Sequence, residues 1–202
     1  MFDYATAAVE GALAAGATYA DARVVATKTE AIEVLNQQLQ SVNRTETIGI
    51  GVRALIGSSW GFYATAELTD KAARKAGARA ASVAKASALV SGPPLELADV
   101  PVNEASWETP FTEHWADVAL SEKVDMLVGV TATMQGVPGI ALARANLGFF
   151  DTDKWFVSSQ GHRIHLHIVE SGGGYDSTAV GEQETQRRSY PQSFGQFETG
   201  GY

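Results

Sequence analysis

A chain of 202 residues, 45% hydrophobic and 19% charged, has the make-up of a soluble globular protein large enough to bury roughly 70% of its unfolded surface without staples. The net charge of −8 argues against nucleic acid and against an anionic membrane surface, both of which are held by Lys and Arg. With no cysteine, disulfides, thiol nucleophiles and cysteine-ligated metals are excluded within the chain, and a reducing cytoplasm is the expected compartment. Met1-Phe2-Asp3-Tyr4 has neither the basic nor the apolar region of a signal peptide, and no apolar run approaches the ~20 residues of a membrane span.

In chain order, Asp3 is placed to cap a first helix over residues 3–15, with Ala5, Ala8, Val9, Ala12 and Leu13 as its apolar face and Gly16 at its end. Two short β-branched runs, Ala22–Lys28 and Glu30–Leu35, predict strands. Thr47–Leu55 alternates, with Ile48, Ile50, Val52 and Ala54 on one face and Gly49, Gly51 and Arg53 on the other. Gly57-Ser58 marks a turn, after which Trp60 and Phe62 resume the alternation. A long helix follows over Thr69–Val90, with Thr69 as N-cap and nine alanines that allow close approach to a sheet. Ser91-Gly92-Pro93-Pro94 stops it, and residues 91–112 hold four of the six prolines, as a linker or surface arm does. Ser121 is placed to cap a third helix bearing Val124, Leu127 and Val128 and ending near Gly136 and Pro138. Strands return over Gly139–Gly148, Lys154–Ser159, His162–Glu170 and Thr178–Tyr190.

The expected fold is therefore α+β: antiparallel sheet with helices packed on one face, in two related helix-plus-strands halves, 1–90 and 121–202, joined by a linker over 91–120. The strand Thr178–Tyr190 is polar on both faces and predicts a need for partners beyond the chain.

His165 and His167 point the same way on a strand, as a metal-binding His-x-His pair does, with Glu170 as a further carboxylate. The plainer reading makes Ile164, Leu166 and Ile168 the buried face and Arg163, His165 and His167 the solvated one. A resemblance to the cupin His-x-His…Glu signature falls short, because Glu170 follows too closely and no second histidine motif comes after. Asp151-Thr152-Asp153 offers paired carboxylates, but between strands it reads as a turn. Gly49-Ile50-Gly51 lies inside a strand and is no phosphate loop. Gly172-Gly173-Gly174 opens no helix and predicts a flexible hairpin.

Three stretches together resemble the N-terminal domain of the TldD/PmbA family of metallopeptidases. They are Gly16-Ala17-Thr18-Tyr19-Ala20-Asp21-Ala22-Arg23; Gly49-Ile50-Gly51-Val52-Arg53 through Gly61-Phe62-Tyr63-Ala64-Thr65; and Ser158-Ser159-Gln160-Gly161. The resemblance implies one N-terminal domain over 1–202 and a C-terminal catalytic domain that this chain does not carry. That domain would hold zinc on a His-Glu-x-x-x-His motif, and this sequence has no His-Glu pair. No catalytic, cofactor or metal residue is carried over. The implied role is to help enclose a proteolytic chamber and to dimerise, with the protein's own C-terminal domain or a family partner subunit and a peptide substrate as partners. The alternatives are a self-contained cupin-like metal enzyme using His165 and His167, and a pure interaction domain.

Overall fold

The computed structural model describes residues 1–90, 92–93, 95–192 and 195–202. Ser91 and Pro94 of the expected helix stop, and Phe194, lie outside the described residues. Among the described residues, three α-helices, α1 (Phe2–Ala14), α2 (Asp70–Ser87) and α3 (Leu120–Gln135), accompany eight strands. These are β1 (Tyr19–Leu35), β2 (Gln38–Ile56), β3 (Ser59–Thr65), β4 (Glu104–Glu108), β5 (Ile140–Ser158), β6 (Arg163–Val180), β7 (Thr185–Tyr190) and β8 (Gln196–Thr199). Hydrogen-bonded neighbours run β3-β2-β1-β5-β6-β4, with β7 and β8 both on β6. The α+β antiparallel architecture is as expected from the sequence.

The strands are longer than their sequence signals. The two runs before residue 36 are one strand, β1, and the segments on either side of Asp151-Thr152-Asp153 are one strand, β5. The expected turn at Asp151 is therefore mid-strand. Polar and glycine residues interrupt the apolar pattern there without interrupting the backbone ladder, because strand pairing is set by neighbours as much as by propensity. β4 occupies part of the proline-rich stretch read as a linker. The polar segment 178–190 is not one strand: it folds into a hairpin, with Val180 opposite Thr185 and Tyr175 opposite Tyr190. The partner it needs is β6 itself.

Two compact units draw on interleaved stretches of chain: 1–26, 47–107 and 152–167 in one, 27–46, 108–151 and 168–202 in the other. In the first unit, Ala20, Ala22 and Val24 of β1 and Ile50, Val52 and Ala54 of β2 form a core with Ala5, Ala8, Ala12, Ala73, Ala76 and Ala80 of the helices. Small residues let the helices approach closely. A Cβ on Gly77 would collide with the Ala8 carbonyl, and one on Gly11 with the Arg74 carbonyl. Thr69 caps α2, its hydroxyl accepting from the Ala72 amide. Asp3 does not cap α1: the N-cap is Met1, and Asp3 sits in the first turn, where its charge still favours the helix dipole. Gly16 ends that helix with φ +97°, and the Ala17 amide donates back to the Ala12 carbonyl. Leu13 and Ile48, expected inside, are about 40% exposed, Leu13 near the end of α1 and Ile48 in the middle of β2.

In the second unit, Ile32, Val34, Ala145, Phe149 and Val169 pack with Leu127 of α3 and with Trp115. α3 begins two residues earlier than expected, after Ala119, so Ser121 lies inside it and makes no cap. The triglycine 172–174 is inside β6, not a hairpin. A Cβ on Gly172 would strike the Gln196 carbonyl, and one on Gly174 would come within 2.9 Å of Gly195 Cα, so these glycines admit β8 against β6.

Candidate functional site

Alternation places every second residue of each strand on the face away from the helices. In the first unit that face carries Tyr19, Asp21 and Arg23 of β1, Gly49, Gly51 and Arg53 of β2, and Trp60 and Phe62 of β3. Asp21 is fully buried there, and two guanidiniums hold it. Arg53 donates from Nε to both carboxylate oxygens at 3.1 Å and from Nη2 to Oδ2 at 2.7 Å. Arg23 donates from Nη1 to Oδ1 at 2.5 Å. Each guanidinium also lies over an aromatic ring, Arg53 at 5.1 Å from Trp60 and Arg23 at 4.8 Å from Phe156. Tyr19 packs edge-on against Trp60 at 5.7 Å. Burial, with the Asp21 carboxylate adding to it, holds the Tyr19 phenol above its ordinary value of 10.0. The hydrogen bonds that Arg53 donates to Asp21 raise its guanidinium further still. Beside this cluster, Arg23 and Arg53 line an open trough of about 620 Å³ together with Val25, Ile48, Gly49, Gly51, Phe62 and Ala64.

The second unit has a groove of about 600 Å³ on the corresponding face, lined by Thr29, Ala31, Asn43, Arg144, Phe150 and Phe197 among others. Its charges are mutually paired, Arg144 with Glu33 at 3.1 Å and Arg187 with Asp176 at 2.9 Å. Phe150 and Phe197 meet edge-on at 5.5 Å. On the helix side of this unit lies a buried ion pair that the sequence reading missed. Lys123 Nζ donates to Glu30 Oε1 at 2.6 Å, with Lys123 and Glu30 each about 1% exposed. Arg44 holds the second oxygen of Glu30. The ammonium also lies 4.8 Å from the Phe149 ring centre and 5.4 Å from that of Trp115. Lys123, Leu127 and Thr131 form one buried i, i+4 row of α3. That spacing was the available signal, and a lysine in such a row is ordinarily read as solvated.

The sequence-singled histidines sit otherwise than a ligand pair would. The face bearing Arg163 and His165 is the helix side: Arg163 lies 4.0 Å over the Phe2 ring of α1, and the His165 ring stacks on Trp155 at 5.0 Å and 9°. The expected outer face is thus turned toward the helices, with Arg163 still exposed and His165 half-buried, while Ile164, Leu166 and Ile168 of the expected buried face are only half-buried. His165 Nε2 is 2.7 Å from Asp153 Oδ1, and Nδ1 is 3.4 Å from the Ser106 hydroxyl. Hydroxyl, imidazole and carboxylate stand in a row, but the Ser106 contact is long for an O–H···N bond, and the stacked ring ties β5 to β6. His162 Nδ1 accepts from the Asn103 amide at 3.1 Å. His167 and Glu170 are half-buried on β6. With Nε2 of His165 held by Asp153 and its ring stacked on Trp155, the metal of the cupin-like alternative does not fit the His165/His167 pair. Glu182 lies in the turn before β7, and Glu184 immediately precedes that strand.

Residues 20–84 match the family profile described as PmbA/TldA metallopeptidase domain 1. This stretch holds Asp21, Arg23, Gly49, Gly51 and Arg53, and on it the resemblance read from the sequence holds. No curated protein matches the chain. Among solved structures, a candidate modulator of DNA gyrase from Bacteroides thetaiotaomicron aligns with TM-score 0.76 at 15% identity, over 97% of this chain and 44% of its own. A second candidate gyrase modulator, from Thermotoga maritima, gives 0.71 at 13% identity, over 98% and 42%. TldE from Thermococcus kodakarensis gives 0.64 at 10% identity, over 95% and 41%. The fold is shared along nearly the whole chain, and the chain spans less than half the length of these structures. No helix among the described residues is long and apolar enough to cross a membrane.

Proposed function

We propose that this chain is the non-catalytic first domain of a PmbA/TldD-type zinc metallopeptidase, which helps to enclose the proteolytic chamber and to dimerise. The observation that carries the reading is the family match over residues 20–84, continued by a fold shared over 95–98% of the chain. Supporting it, the sequence has no His-Glu pair and no cysteine. The chain's own residues supply a helix-backed sheet in each unit, whose free face carries a groove of about 600 Å³ or more. In this role the zinc belongs to a C-terminal domain or partner subunit, where it would polarise the scissile carbonyl and activate water. The compartment proposed is the cytoplasm. Light scattering on the purified chain tests the assembly. A mass of twice 21.4 kDa at micromolar concentration is expected, and a monomer throughout would remove dimerisation from the role.

A further inference from the structure

We propose that the trough of the first unit binds the C-terminal residue of an extended peptide, its carboxylate on Arg23 and Arg53 and its apolar side chain over Gly49 and Gly51. The charges do not balance without a ligand: two guanidiniums face the one carboxylate of Asp21. Arg53 uses Nε and Nη2 on Asp21 and Arg23 uses Nη1. Their other N–H groups make no hydrogen bond within the described residues, and both side chains are about 40% exposed. A second carboxylate would bring the cluster to two against two. Buried Asp21 on one side and the Trp60 and Phe156 rings on the other fix the guanidiniums before any ligand arrives, which reduces the ordering cost of binding.

The apolar half of the site exists because β2 has glycine at two alternate positions. Glycine inside a strand costs roughly 0.5–1 kcal/mol relative to alanine. Neither Gly49 nor Gly51 is in the left-handed region that would require it. At Gly51 an added Cβ would meet only the tip of Phe62, at 3.2–3.3 Å, and Phe62 is 60% exposed and free to swing. Packing therefore does not demand glycine at 51, whereas an open trough of about 620 Å³ does. The groove of the second unit lacks this signature, since its arginines are already paired one to one.

The proposal concerns binding by this chain and holds whether or not the assembly is a peptidase. The test titrates the intact chain, by amide and Arg Nε–H NMR, with acetyl-Ala-Ala-Phe bearing a free carboxylate and with the same peptide as its C-terminal amide. The free acid should shift the signals of Gly49, Gly51 and Arg53 saturably, and the amide should bind at least about tenfold more weakly, as expected for loss of a charge-assisted contact. Gly51→Val, which fills the trough, should weaken the acid by a similar factor without lowering the melting temperature. Arg53→Gln should abolish the preference for acid over amide in chain that remains folded by circular dichroism. Equal binding of acid and amide, shifts confined to other residues, or full affinity in Gly51→Val would each overturn the proposal.

Discussion

Lys123 and Glu30 illustrate how a single buried pair is felt. Breaking it from one side leaves a carboxylate in the core with only Arg44 to compensate, and such losses run to about 3–5 kcal/mol. Because Arg44 stays, Lys123→Met should cost about 2–4 kcal/mol in urea unfolding. Lys123→Met with Glu30→Gln should recover most of that, since no buried charge remains. A single variant as stable as the parent would show that the pair is solvated. Tyr19 gives a pH signature. Its phenol is harder to ionise folded than unfolded, because burial and Asp21 oppose the phenolate. That stability is fully present below the unfolded value of about 10 and is lost as pH rises through the folded one. The urea midpoint of the parent should therefore fall more steeply above pH 10 than that of Tyr19→Phe. Parallel curves would contradict the assignment. Neither residue was legible beforehand. A lysine and a glutamate 93 positions apart carry no local sign of meeting, and Asp21 was visible only as part of a family stretch, not as the anchor of two arginines.

At the level of elements, the helices were the more legible. Alanine spacing and the Thr69 cap placed α2, because both signals are local. Strand lengths and register were not, because β1 and β5 continue through polar stretches on ladder hydrogen bonds made by distant chain. Glycines mark where elements approach one another, and they divide by what a side chain would strike. Gly77→Ala gains up to about 1 kcal/mol of helix propensity. It also drives a methyl into the Ala8 carbonyl, and overpacking against backbone costs about 1–3 kcal/mol or more. The second effect should win, lowering the melting temperature, and a rise would mean that α1 and α2 can separate freely. Gly172→Val should detach β8 alone. Hydrogen exchange of residues 196–199 should accelerate while β7, held by six register pairs on β6, stays protected. Unchanged protection of β8 would refute the close approach.

For the whole molecule, the sequence carried the α+β class and the family resemblance, because both rest on patterns spread along the chain. The hairpin that completes residues 178–190 within the chain was hidden, since its polar faces give no hydrophobic register and its pairing with β6 supplies the order instead. The open faces of the two units were hidden too. A groove is defined by what is missing, and glycine in a strand looks the same whether it admits a neighbour, as at Gly172, or leaves space, as at Gly51. The central proposal is that this chain supports peptidase chemistry and does not perform it. The most direct test is hydrolysis of a quenched fluorescent peptide library by the purified chain, with added zinc and with chelator. No zinc-dependent cleavage above the buffer rate is predicted. Cleavage that requires zinc, survives repurification and disappears in His165→Ala would contradict the account at its root.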